Sequence, residues 1–216
     1  LWFTDEINAT WTYGHISEWD VSAVTNMANA FKGRTTFNED ISRWDVSSVT
    51  NMSWMFRSAL SFNQPLGDWD VSRVINMDHM FSAASNFNQD ISKWDTSKVT
   101  NMRYLFNDAE NFDQDIGDWN TSKATNMYYM FSEAKKFNQE IGNWDTSSVI
   151  SMGSMFKDAI AFNQDISDWN TSSVAGMSNI FLNTPSISNT NKGLIHQSFA
   201  SNFNWPYDWR EFVVLD

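Results

Sequence analysis

The chain of 216 residues has no cysteine. That absence removes disulfide frameworks, thiolate nucleophiles and cysteine-based zinc sites together. It does not fix a compartment. Basic residues are few, 14 Lys and Arg against 26 Asp and Glu, which leaves a net charge of -12. Such a surface repels phosphate backbones, so nucleic acid is not expected as a partner. No apolar run approaches the roughly 18 residues that a membrane-spanning helix needs, and no membrane span is expected. The chain starts at Leu1, with no visible signal peptide, as a processed or trimmed product would. There are only three histidines, His15, His79 and His196, far apart in sequence and outside any metal-binding or nucleophile motif. No cofactor, no catalytic residue and no metal site follows from the residues, and the chain does not read as an enzyme.

What the chain has is repetition. Trp recurs at 19, 44, 69, 94, 119, 144 and 169, a spacing of 25 without insertion or deletion. Met follows at 27, 52, 77, 102, 127, 152 and 177, and Phe at 31, 56, 81, 106, 131, 156 and 181. A fixed period of this length marks stacked repeats, in which each unit buries its apolar face on its neighbours. The repeat also explains the 16% aromatic content.

Each unit reads as two halves. Val99, Met102, Leu105, Phe106 and Ala109 fall on one face of a short helix, with Ser97 or Asp95 as its N-cap. The other half, Phe87 to Trp94, has no helical period, and a flat strand would put Ile91 and Trp94, three apart, on opposite faces, so a short strand around Asp90, Ile91 and Ser92 followed by a bend is expected. The expected fold class is therefore α/β: a solenoid of about seven 25-residue coils with short parallel strands and short helices. Residues 1–15 form an expected N-terminal cap, residues 16–181 the solenoid and residues 182–216 a C-terminal cap, within one structural domain. In the first cap, Trp2, Phe3, Ile7 and Trp11 are expected to line one helical face. In the second, a helix from Asn189 to Ser198 should turn Leu194, Ile195 and Phe199 to the last coil. The stretch from Phe203 to Trp209 should then fold its aromatics over the end.

The unit from Phe87 through Asn88-Gln89-Asp90-Ile91-Ser92-Lys93-Trp94-Asp95-Thr96-Ser97-Lys98-Val99-Thr100-Asn101 to Met102, with its copies, resembles the 25-residue repeat of the DUF285 family, the BspA-like leucine-rich-repeat surface proteins. The resemblance runs over about residues 13–181. The tail from Asn191 and Lys192 to Trp205-Pro206-Tyr207-Asp208-Trp209 also looks like the closing segment of such proteins. The resemblance implies a right-handed leucine-rich-repeat-like solenoid, a place at the cell surface or outside the cell, and adhesion or partner binding. It brings no catalytic residues.

The invariant Trp, Met and Phe columns read as core rather than as a sugar-stacking platform. The Asn columns at 26, 51, 76, 101 and 126 and at 38, 63, 88, 138 and 163 read as amide ladders that satisfy backbone groups at the bends of neighbouring coils. Ser151, Gly176 and Asp113 interrupt them. The acidic column Asp40, Asp90, Asp115, Glu140 and Asp165 reads as a solvated ridge, with calcium bridging as the less favoured alternative. Specificity belongs to positions the repeat leaves free. There Trp54, His79, Arg103, Tyr104, Tyr128 and Tyr129 form the candidate partner-binding column, because aromatics and Arg are enriched at interface hot spots. The expected function is a non-catalytic module that binds a protein or glycan partner. The alternative is a structural or scaffolding subunit of a larger assembly, and a calcium-dependent module ranks below both.

Overall fold

The computed structural model describes residues 2–214. Successive 25-residue coils lie on one another in parallel register. Single bridges pair Asn26 with Asn51, Asn51 with Asn76, Asn76 with Asn101, Asn101 with Asn126, Asn126 with Ser151, and Ser151 with Gly176.

The α/β expectation is wrong. Among the described residues no strand occurs, and no coil contains an α-helix. The four helical elements are α1 (Glu6–Tyr13), α2 (Asn189–Phe199) and two single 3₁₀ turns, Ile16–Glu18 and Arg210–Phe212. Where a helix was expected over Val99 to Ala109, alternate amides point in different directions. Met102, Tyr104, Phe106 and Asp108 donate their N–H groups out of the coil to the carbonyls of Asn126, Tyr128, Met130 and Ser132, at 3.0, 2.9, 2.9 and 2.8 Å. The amides between them close turns within the coil: Leu105 to Met102, Asn107 to Tyr104 and Ala109 to Phe106, at 3.2, 3.2 and 3.1 Å. A helix would have spent every amide internally, four residues back. A strand would have sent them all sideways. This backbone divides them, so it is neither. Tyr104 and Asp108 take φ of 55° and 57°, which the third residue of a type II turn requires. The expected strand around Ile91 is likewise a bend: Asp90 Oδ1 accepts the Ser92 N–H at 2.9 Å, and Trp94 N–H closes a turn on Ile91 O at 3.2 Å.

The core is a stack of rings. Phe31, Phe56, Phe81, Phe106, Phe131, Phe156 and Phe181 follow one another at centroid spacings of 5.2, 5.5, 5.8, 5.8, 5.7 and 5.6 Å. Within a coil, Phe106 also stacks on Phe112 at 3.8 Å. The indole column lies beside them, and its Trp44 to Trp169 members are 2–8% exposed. Each buried indole N–H donates to a carbonyl of the preceding coil, as Trp94 does to Leu66 O at 2.9 Å and Trp119 to Ile91 O at 3.1 Å. Large apolar side chains and satisfied polar tips therefore occupy one column.

The two Asn columns divide their work. Asn101 Oδ1 accepts the N–H of Arg103 in its own coil at 3.2 Å. Asn88 Oδ1 reaches the next coil, accepting the N–H of Asp113 at 2.9 Å, and Asp113 Oδ1 accepts that of Asn138 at 2.9 Å. Asp113 is thus no break, because a carboxylate oxygen accepts as an amide oxygen does.

At the first end, Asp5 caps α1 by accepting the Asn8 N–H at 3.0 Å. Only Ala9 of that helix is buried; Ile7 is 75% and Trp11 86% exposed. The expected helical face of Phe3, Ile7 and Trp11 is therefore not the covering surface. Trp2 and Phe3 cover the core instead, ahead of the helix, with Phe3 edge-on to Phe31 and Phe37, at 5.9 Å in each case. At the other end, α2 buries Ile195 and Phe199, while Leu194 is 39% exposed and turned away from the expected contact. Trp205, Tyr207 and Trp209 gather on Phe181, and Phe203, at 95% exposure, takes no part.

Candidate functional site

The turn that replaces the expected helix decides how the variable side chains stand. Trp54, His79, Tyr104 and Tyr129 occupy the same left-handed position in four consecutive coils, with φ of 63°, 56°, 55° and 58°. Asn29 and Asn179 hold that position toward either end of the stack, as a residue tolerant of such φ would. Bulky rings there are strained. They stack face to face, Trp54 on His79 at 4.1 Å, His79 on Tyr104 at 4.3 Å and Tyr104 on Tyr129 at 4.8 Å, each pair within 17° of parallel. Tyr128 leans edge-on against Tyr104 and Tyr129 at 5.7 and 4.4 Å. The aromatic column gives way to Ser154 in the next coil, and beside it a Cβ at Gly153 would lie 3.0 Å from the Tyr128 ring.

All six residues named from sequence are brought into one continuous surface. His79 is buried between its neighbours, and the other five are partly exposed. The interior rings of the stack, His79 and Tyr104, use both faces on their neighbours.

Sequence reasoning did not assign a role to Asp78, and the structure makes it the hub. Its carboxylate meets His79 Nδ1 at 2.8 Å and accepts from Arg103 Nε and Trp54 Nε1, at 3.1 Å each. Its side chain is 13% exposed. Burial pushes this carboxyl up, but the hydrogen bonds and charges of His79 and Arg103 outweigh burial and hold it below its ordinary value. Burial, reinforced by Tyr129, raises the phenols of Tyr104 and Tyr128. Lys32 and Arg57 were also missed. Lys32 Nζ lies 4.1 Å and Arg57 Cζ 4.8 Å from the Trp54 ring centroid, while Arg103 Cζ lies 5.3 Å from that of Tyr104. The available signal was positional: Arg57 follows Trp54 by three residues, and Lys32 stands one repeat before Arg57.

The acidic column is occupied with its own turns. Asp40, Asp90, Asp115 and Asp165 each accept the backbone N–H two residues on, at 2.9, 2.9, 3.0 and 2.9 Å. Among the described residues no three His, Asp or Glu side chains converge as metal ligands would. The histidines lie apart. His15 Nδ1 is 2.7 Å from Ser17 Oγ, and His196 Nδ1 accepts from Trp205 Nε1 at 2.9 Å.

A family model described as "Mycoplasma protein of unknown function, DUF285" matches the chain twice, over residues 3–116 and 89–194. No curated protein and no solved structure matches it. No helix among the described residues is long and apolar enough to cross a membrane.

Proposed function

The chain belongs to the DUF285 family, and from that premise we propose that it is a non-catalytic binding module whose contact surface is the column around Trp54, His79, Tyr104 and Tyr129. One observation carries this reading: four large aromatic side chains stand at left-handed backbone positions, where they cost strain that the ring stack must offset. Asn or Ser would hold the turn at less cost, as at Asn29, Ser154 and Asn179. Keeping bulky rings there has a use in an interface, where rigid aromatics supply contact area with little loss of side-chain freedom.

The partner we favour is a protein. Sugar rings stack on open aromatic faces, and here each interior ring spends both faces on its neighbours. The edges offer the Tyr104, Tyr128 and Tyr129 hydroxyls and the Arg103 guanidinium, a mixture suited to a protein surface. The resemblance to surface proteins supports a location at the cell surface or outside the cell.

The test is a triple variant, Trp54→Asn, Tyr104→Asn and Tyr129→Asn, compared with the parent chain for partners crosslinked in the native extract and for glycans bound on an array. The variant should keep the far-ultraviolet spectrum and lose the protein crosslinks. An unchanged crosslinking pattern, or array binding that the variant loses while crosslinks persist, would overturn the reading.

A further inference from the structure

The inter-coil hydrogen bonds run in one direction, and this leaves one edge of the stack open. Met27, Asn29, Phe31 and Gly33 of the first coil donate to the carbonyls of Asn51, Ser53, Met55 and Arg57, at 2.9, 3.0, 2.8 and 2.7 Å. The same four positions repeat the pattern in the coils that follow. The equivalent carbonyls of the first coil belong to Asn26, Ala28, Ala30 and Lys32. Among the described residues no donor reaches them. The N-terminal cap does not cover this row. Phe3 sits on Phe31 and Phe37, and Asn26, Ala30 and Lys32 remain exposed, with Ala28 partly so. Four acceptors two residues apart can take the main-chain N–H groups of another segment that follows the same run of turns, as Met27, Asn29, Phe31 and Gly33 do one coil further on. Ala28 and Ala30 are small, where the next coil has Ser53 and Met55, so another backbone has room to approach.

The charges beside this row indicate which chain. His79 covers one face of Trp54, so Lys32 and Arg57 share the other, the side that faces the first coil. Two cations on one ring repel each other. Among the described residues neither forms a salt bridge, although the chain carries a net charge of -12. Arg57 Nε is buried without a hydrogen-bond partner. An unsatisfied buried donor of this kind calls for an acceptor.

We propose that the open edge of the first coil binds an acidic segment of a partner protein, which donates main-chain N–H groups to Ala28, Ala30 and Lys32 and sets a carboxylate between Lys32 and Arg57. This deepens the protein-binding reading and rests on it for the placement of the partner next to Trp54.

The probe is a synthetic ten-residue peptide of alternating Glu and Val, titrated into the whole chain and followed by the carbonyl carbon shifts of Ala28 and Ala30. Saturable shifts are expected, weakened at least tenfold in Lys32→Gln with Arg57→Gln and weakened by added salt. N-methylation of alternate peptide residues should abolish them, and Lys123→Gln, which removes an exposed cation elsewhere on the stack, should leave them unchanged. Equal binding of the N-methylated peptide would overturn the edge, and absence of saturation at millimolar peptide would overturn the proposal. Equal shifts with an oligogalacturonate would assign the cations to an acidic glycan and overturn the peptide. If the peptide fails while the triple aromatic variant still loses its crosslinks, this proposal falls and the aromatic surface stands.

Discussion

Asn163 Oδ1 accepts the backbone N–H of Ser188 at 2.8 Å, and Ser188 Oγ in turn accepts the N–H of Asn191 at 3.1 Å as the N-cap of α2. The last rung of the inter-coil amide ladder is therefore also the anchor of the closing helix. Asn191 Nδ2 completes the link by donating to Asn163 O at 2.8 Å. Asn163→Ala strands the Ser188 N–H beside the array and should cost about 1–3 kcal/mol, read as a lower urea midpoint. Asn163→Asp should be nearly neutral, because Asp113 performs the same task in the ladder.

The repeat, the core columns and the ladder were legible because each is a matter of identity at a fixed spacing. The local backbone was not. Val99, Met102, Leu105, Phe106 and Ala109 satisfy a helical period, but the same spacing suits turns closed by bonds three residues long. What separates the two is whether Tyr104 N–H stays in its coil or reaches Tyr128 O. Sequence carries little sign of that choice, since Gly33 is the one glycine at a left-handed position among the described coils. The expected helical face of the first cap failed for a related reason. Phe3, Ile7 and Trp11 share a helical face only if the helix includes Phe3, and α1 begins at Glu6. The aromatic column was legible from its variability. Asp78, Lys32 and Arg57 were not, because their roles depend on whether each side chain meets the edge or the face of Trp54.

The indole column gives a second prediction. Trp94 Nε1 donates to Leu66 O at 2.9 Å in the core. Trp94→Phe keeps a ring but removes the donor from a buried carbonyl, and should cost about 1–3 kcal/mol. Trp94→Ala adds a cavity and should cost about 3–5 kcal/mol. No loss in Trp94→Phe beside a full loss in Trp94→Ala, measured by urea titration, would show that the hydrogen bond contributes nothing and that packing alone fixes the column.

Gly193 tests the closing segment. A Cβ at this position would collide with the carbonyl of Phe212, so α2 and the 3₁₀ turn at Arg210–Phe212 approach each other only because the side chain is absent. Gly193→Ala should push that turn away at a cost of about 1–3 kcal/mol, with a red shift in the fluorescence of Trp205 and Trp209. Unchanged fluorescence would mean that the contact is not kept in solution.

The exposed turns set an acid limit. Asp20, Asp45, Asp70, Asp95 and Asp145 are each held below the ordinary carboxyl value of 3.8, first by the hydroxyl and then by the backbone N–H of the serine two residues on. A depressed folded value means that this stabilisation is complete above the unfolded value and is lost as pH falls through the folded one. The urea midpoint should therefore fall below about pH 3.8. Changing Ser22, Ser47, Ser72, Ser97 and Ser147 together to Ala removes the larger cause and should make that fall shallower. An unchanged slope would place the acid sensitivity elsewhere.

Asp78 ties the aromatic column together, since its one carboxylate meets His79, Arg103 and Trp54. Asp78→Ala leaves the buried His79 and the Trp54 indole without their acceptor and should cost about 1–3 kcal/mol, discounted for Arg103, whose side chain is 42% exposed and regains water. Asp78→Asn keeps an acceptor but no charge, so it should recover part of that loss at neutral pH. The sign with pH separates the two roles. The Asp78 carboxyl is held below its ordinary value, so the parent loses this contribution only as pH falls through that lowered value, and the parent and Asp78→Asn should converge in stability at low pH. If they differ by the same amount at pH 7 and in acid, the carboxylate charge is not what holds the rings in register.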